Sequence, residues 1–235
     1  MAMTAHATPA RTGKLSDGFT LVEMLVVIVL MGFMMAIALP RFTDIGRGSK
    51  IKTAVSELRS TMGLARQWAI ARRESVYMVF PDDFLANLFS GVSTSHYSKA
   101  LRSYALYSER EGYIKDWTYL PESVFFVDHQ NSQNFKGDAD LDAGKSVFRM
   151  NTLVRLPFPE NSSPTKPINT IEFKPDGTSS GGDISPCEVF MSEGIALEGS
   201  GGKVVNIAWK DVSLAWGVEV NPFTGSVRVN DYGNR

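Results

Sequence analysis

Hydrophobic positions are distributed very unevenly along this chain. Leu21 to Leu39 is a block of 19 residues in which Glu23 is the only charge and Gly32 the only glycine. As a helix it would span about 28 Å, close to the roughly 30 Å of a bilayer's hydrocarbon core, so it predicts a membrane-spanning helix. Beyond it, Ile51, Val55, Leu58, Met62, Ala65 and Ala69 recur at alternating spacings of four and three. That is one apolar stripe on an amphipathic helix, with Lys52, Ser56, Arg59, Arg66 and Arg73 on its other faces. Gly46 and Gly48 each weaken a helix by about 1 kcal/mol relative to alanine, so a kink or loosened turn is expected between Pro40 and Gly48. The stripe is expected to pack on a sheet rather than to form a two-stranded coiled coil.

After Arg73 the pattern changes to short strands. Ser75–Phe80 ends at the turn Pro81-Asp82-Asp83, and Ser103–Ser108 and Val124–Val127 flank a polar connection. Thr170–Thr178 reads as a strand running into the turn Pro175-Asp176-Gly177. Three further segments follow: Glu188–Gly194, Lys203–Lys210, and a hairpin from Trp216 to Asp231 with Pro222–Gly225 at its tip. Residues 81–102 read as an insertion containing a short helix, and 129–146 and 157–169 as surface loops. One long helix followed by strands punctuated with glycine and proline indicates an α+β unit with an antiparallel sheet.

Charge and cysteine content narrow little. Among 235 residues, 24 basic and 25 acidic side chains nearly balance, so no polyanion partner is indicated overall. Cys187 is the single cysteine, which excludes an intramolecular disulfide framework and reads as a packed thiol. Residues 1–18 are small and polar, and no A-x-A-like site follows the apolar run, unlike a secretory signal. Arg11 and Lys14 precede the run, whereas Arg41, Arg47, Lys50 and Lys52 follow it. Charge counting alone favours the reverse of an N-terminus-in topology.

The junction Gly18-Phe19-Thr20-Leu21-Val22-Glu23, an apolar helix behind it and Pro40 beyond resemble the type IV prepilin signature shared by type IV pilins and type II secretion pseudopilins. The resemblance implies that prepilin peptidase cuts between Gly18 and Phe19 and methylates the Phe19 amine. It implies a cytoplasmic N-terminus, a periplasmic head, and a chain organised as leader (1–18), transmembrane and assembly helix (19–39), amphipathic continuation (40–73) and β-rich head (74–235). Pro40 would kink the helix. It also rationalises Glu23: a carboxylate in hydrocarbon costs about 2.5–3.5 kcal/mol on insertion scales unless it is paired. In an assembly, one subunit's Glu23 would meet a neighbour's Phe19 amine; in a lone subunit it would reach for the headgroups. The junction 64–78, the segments 117–126 and 171–182, and the hairpin 220–229 are similar to H-type (GspH/FimT-type) minor pseudopilins and pilins. The implied role is structural rather than enzymatic. It belongs to a minor pseudopilin of a type II secretion system or, alternatively, a minor pilin for adhesion, motility or DNA uptake. Implied partners are other pseudopilins or pilins, prepilin peptidase, the inner-membrane assembly platform and membrane lipid.

Candidate chemistry is sparse. Gly177–Gly181 formally matches G-x-S-x-G, which would make Ser179 the nucleophile of a membrane-anchored hydrolase. A nucleophile elbow needs strand, sharp turn and helix, and here a turn precedes and a further strand follows. Asp138, Asp140 and Asp142 alternate as calcium ligands would, but Ala143 and Arg149 occupy the EF-hand's glycine and glutamate positions. A solvated acidic loop is the main reading and calcium the lesser one; no other cofactor is expected. His6, His96 and His129 are isolated. Arg228 and Arg235, beside Asp231, are too few to mark a DNA-binding surface.

Overall fold

The apolar stripe of the second helix organises the head. In a computed structural model, the described residues are 19–45, 49–81, 97–127, 153–180, 186–199, 204–210 and 215–233, without the side chains of 36–45 and 204–205. Two compact units divide the chain, Met1–Arg47 and Gly48–Arg235.

In the first unit, helix α1 spans Leu21–Ile45. Its backbone carries on through Pro40, and residues 46–48, where the glycines predict a loosened turn, lie outside the described chain. Among the described residues no helix is long and apolar enough to cross a membrane. Residues 36–39 of the predicted span are among those whose side chains are not described.

In the second unit, helix α2 spans Ser49–Arg72 and buries Ile51, Ala54, Val55, Leu58, Met62, Ala65 and Ala69. The whole predicted stripe is therefore buried, with Ala54 added. The helix stops at Arg73, which adopts φ of 54°, while the Glu74 amide donates to the Ala69 carbonyl at 3.3 Å. This is the left-handed cap in which an orphan carbonyl is satisfied by the amide five residues on, with the left-handed position usually filled by glycine.

Twelve strands follow among the described residues. The first six are β1 (Val76–Phe80), β2 (Ser103–Ser108), β3 (Gly112–Tyr113), β4 (Thr118–Tyr119), β5 (Val124–Phe126) and β6 (Leu153–Pro157). The rest are β7 (Thr165–Phe173), β8 (Ser179–Ser180), β9 (Cys187–Glu198), β10 (Val204–Trp209), β11 (Ala215–Val220) and β12 (Val227–Asp231). They form two antiparallel sheets rather than one. The first is ordered β3-β2-β1-β7-β6, with β4 on β2 and β8 on β7; the second is β10-β9-β11-β12, with β5 on β9.

One core joins both sheets to α2. Leu58, Met62 and Ala65 share it with Val76 and Met78 of β1, Ile171 and Phe173 of β7, Met191 of β9, and Val218 and Val220 of β11. Each fully buried aliphatic or aromatic side chain contributes about 1.5–3 kcal/mol. Strand β1 is buried on both faces, because Tyr77 and Val79 point into a second cluster with Leu156, Phe158 and Ile168. This explains a continuous apolar run where a half-exposed strand would alternate.

The loop expected at 157–169 needs correction. Thr165–Asn169 is not loop but the first half of β7, and Leu153–Pro157 is its partner β6. Pro167 lies opposite Arg155 in this ladder, while β1 covers β7 only from Asn169 onward. The Phe158 amide donates to the Pro164 carbonyl at 3.4 Å, which sets the phase of the ladder so that position 167 directs its backbone nitrogen away from β6. Its missing N–H therefore costs no bond to β6, the situation in which proline is tolerated in a strand.

Candidate functional site

Glu23 has a partner within its own chain. The Thr20 amide and hydroxyl both donate to Glu23 Oε2 at 2.9 Å, and the Glu23 amide donates back to the Thr20 hydroxyl at 3.3 Å. This is a reciprocal capping box closing the N-terminus of α1. The T-x-x-E spacing that signals it is local and legible, yet the reading from sequence missed Thr20. Around this cap the apolar surface is open: Phe19 is 74% exposed, and Leu21, Ile28, Phe33 and Met34 are also exposed. A continuous apolar surface of this kind marks contact with lipid or protein. Gly18 lies outside the described residues.

The two turns singled out in the sequence meet at α2. Arg66 donates from Nε to the Gly177 carbonyl at 3.0 Å. Gly177 sits in the β7–β8 turn with φ of 84°, and Gly225 sits in the β11–β12 turn with φ of 60°. A Cβ built on Gly225 would lie 2.3 Å from the Gly177 carbonyl oxygen and 2.8 Å from Arg66 Nε. One helix side chain therefore ties a turn of each sheet to α2. Within the first turn, Asp176 accepts from the Thr178 hydroxyl at 2.6 Å and the Thr178 amide at 2.9 Å, which holds its carboxyl below the usual range.

Ser179 is no nucleophile. It lies in β8 opposite Phe173, is buried, and spends its hydroxyl on the Asn221 carbonyl at 3.2 Å. Among the described residues β8 is followed by strand β9 and not by the helix an elbow requires. The hydrolase alternative is overturned on this geometry.

Cys187 is buried, and burial pushes its thiol up to about 12, with the neighbouring Glu188 adding to the effect. Glu188 itself is buried on the other face of β9, where its carboxylate accepts from the Asn230 amide at 2.9 Å and from the Tyr232 hydroxyl at 2.9 and 3.0 Å. Gly217 on the intervening strand makes room: a Cβ there would fall 1.8 Å from Glu188 Oε1. Nothing in the sequence flagged this cluster. Asp138, Asp140, Asp142, His96, His129 and Arg235 lie outside the described residues. Among the described residues no group of three or more His, Cys, Asp or Glu is placed to hold a metal.

One unit is an apolar, exposed helix and the other a two-sheet head packed on α2. The prokaryotic N-terminal methylation motif matches residues 14–39, and type II transport protein GspH matches residues 54–211. The chain belongs to the GspH family, which is a family of transport components and not of enzymes. It is 31% identical over 70 residues to two fimbrial proteins of Pseudomonas aeruginosa, covering 30% of this chain and 46% of each relative. The matched stretch thus spans about half the length of these curated relatives. The minor pseudopilin EpsH from the type 2 secretion system of Vibrio cholerae aligns over 78% of this chain and 98% of its own, at a TM-score of 0.37 and 11% identity.

Proposed function

We propose that this chain is a minor pseudopilin of a type II secretion system, anchored in the inner membrane by residues 19–39 and added to a periplasmic pseudopilus. The observation that carries the reading is the succession of a methylation motif over 14–39 and a GspH match over 54–211 in one chain. Prepilin peptidase would cut between Gly18 and Phe19 and methylate the new amine. The exposed apolar surface of α1 supports assembly with other pseudopilins. In the single chain Glu23 closes its own helix; in the filament its remaining acceptor capacity would meet a neighbour's Phe19 amine and set register. Pro40 would bend the helix between anchor and head.

Mass spectrometry of the mature chain tests the assignment: an N-methylated Phe19 is expected, and a retained Met1 or a cut near Pro40 refutes it. Glu23→Ala should leave insertion intact and block incorporation into the filament; normal incorporation refutes the pairing. The fimbrial match over 70 residues favours one second reading, a minor pilin of a type IV pilus. A deletion strain that loses pili but still secretes would establish that reading, and one that stops secreting while keeping pili would exclude it.

A further inference from the structure

The outer strand of the second sheet has an open edge with a basic flank. Among the described residues β12 pairs only with β11, through Trp216↔Asp231, Gly217↔Asn230, Val218↔Val229, Glu219↔Arg228 and Val220↔Val227. Two bonds set the phase of this ladder: the Asn221 amide donates to the Ser226 carbonyl, and the Tyr232 amide to the Ala215 carbonyl, both at 2.9 Å. Positions 226, 228, 230 and 232 therefore turn their backbone groups toward β11. By the alternation of an antiparallel ladder, Val227 and Val229 direct theirs away from the sheet. Such a row is a template for another strand.

Helix α2 runs along the same edge. At one end Lys52 stacks 6.0 Å from the Trp216 ring centroid, beside the Trp216–Asp231 pair. At the other, Arg66 lies against Gly225, just before the strand begins. Lys52 to Arg66 is 14 helical residues, about 21 Å, and Gly225 to Asp231 is six extended residues, about 20 Å. The two elements are matched in length, which brings the exposed Arg59, midway along this flank, level with the middle of β12. Lys52, Arg59 and Arg66 recur every seven residues and so share one flank of the helix. On the opposite face of the sheet Arg228 is exposed, with Glu219 across from it on β11 and, among the described residues, no strand paired beyond it.

We propose that the β12 edge is a docking site for an extended acidic segment of a partner protein, added as a further antiparallel strand to Val227 and Val229. Its backbone would take the outward groups of those two residues. Side chains on one face would lie under Lys52 and Arg59, those on the other beside Arg228, so carboxylates fit both faces. The site is built wholly within the second unit and does not depend on how the N-terminus is processed or into which filament the chain goes.

The test uses the full chain in detergent at low salt with an eight-residue peptide of alternating glutamate and valine; the lysine–valine peptide is the control. The acidic peptide should slow hydrogen exchange at the Val227 and Val229 amides at least tenfold, and the control should not. Arg59→Glu and Arg228→Glu, both surface changes, should each weaken binding at least fivefold. Val229→Pro, which removes an outward N–H and no ladder bond, should abolish it. Unchanged exchange at the edge overturns the proposal. So does equal binding of both peptides, or unchanged affinity in both arginine variants. A single-stranded oligonucleotide that binds the basic flank where the acidic peptide does not would also overturn it, in favour of nucleic acid. The state of the Phe19 amine, read by mass, is independent of all these outcomes.

Discussion

Arg66 Nε donates to the Gly177 carbonyl at 3.0 Å, across 111 positions of sequence, and the same carbonyl faces Gly225. The contact locks α2 to a turn of each sheet, so the relative placement of the two sheets rests partly on one side chain.

Arg66→Met keeps the apolar stem and deletes the donor. A partly buried charged donor to a carbonyl is worth about 1–2 kcal/mol, or about 3–6 °C in the melting temperature of a unit this size. Gly225→Ala should be worse than Gly177→Ala, although both have positive φ. At Gly225 the new methyl meets backbone at 2.3 Å, whereas at Gly177 it meets the side-chain ends of Arg66 and Ile70 at 3.2 and 3.3 Å. Equal melting temperatures for the two variants would contradict this ranking.

Arg73 holds the left-handed cap of α2 at φ of 54°. A non-glycine residue there costs about 1–2 kcal/mol of backbone strain, so Arg73→Gly should raise stability by about 1 kcal/mol after the entropy of the unfolded glycine is counted. Denaturant unfolding with an unchanged slope and a higher midpoint is the expected result; a lower midpoint counts against the cap.

The Glu188 carboxylate holds the end of β12 through Asn230 and Tyr232. Glu188→Ala removes the acceptor that these two half-buried donors share and should cost about 1–2 kcal/mol. Gly217→Ala should produce a similar loss by steric displacement of the same carboxylate. In both variants hydrogen exchange should accelerate first at residues 227–233. Uniform acceleration across the head would mean that the cluster does not act locally.

Alkaline pH should destabilise the head. The Cys187 thiol is pushed from 9.0 up to about 12 and the Tyr104 hydroxyl from 10.0 up to about 12, in each case chiefly by burial. Tyr77 and Tyr113 are raised in the same way. With folded values above unfolded ones, the neutral forms favour the folded state below about pH 9, and that stability is lost as pH rises toward 12. Thermal melts should therefore fall steadily above pH 9, with a shallower slope in Cys187→Ala. Native Cys187 should resist alkylation at pH 8 and react on unfolding.

Local periodicity carried much of this molecule. The apolar run of α1, the buried stripe from Ile51 to Ala69, the strand at Ser103–Ser108 and the hairpin around Pro222–Gly225 are readable because each depends on residues a few positions apart. The Thr20–Glu23 cap is equally local, set by a T-x-x-E spacing of three residues. Tertiary structure alone decided the remainder. Pro164 and Pro167 read as loop until β6 shows that position 167 needs no donor on that side. The split into two sheets, the convergence of Gly177 and Gly225 on Arg66, and the Glu188–Tyr232 cluster join residues from separate elements. A repeat of apolar positions specifies which face of an element is buried. Which element covers that face is chosen by the packing of all of them together, and no single segment encodes it.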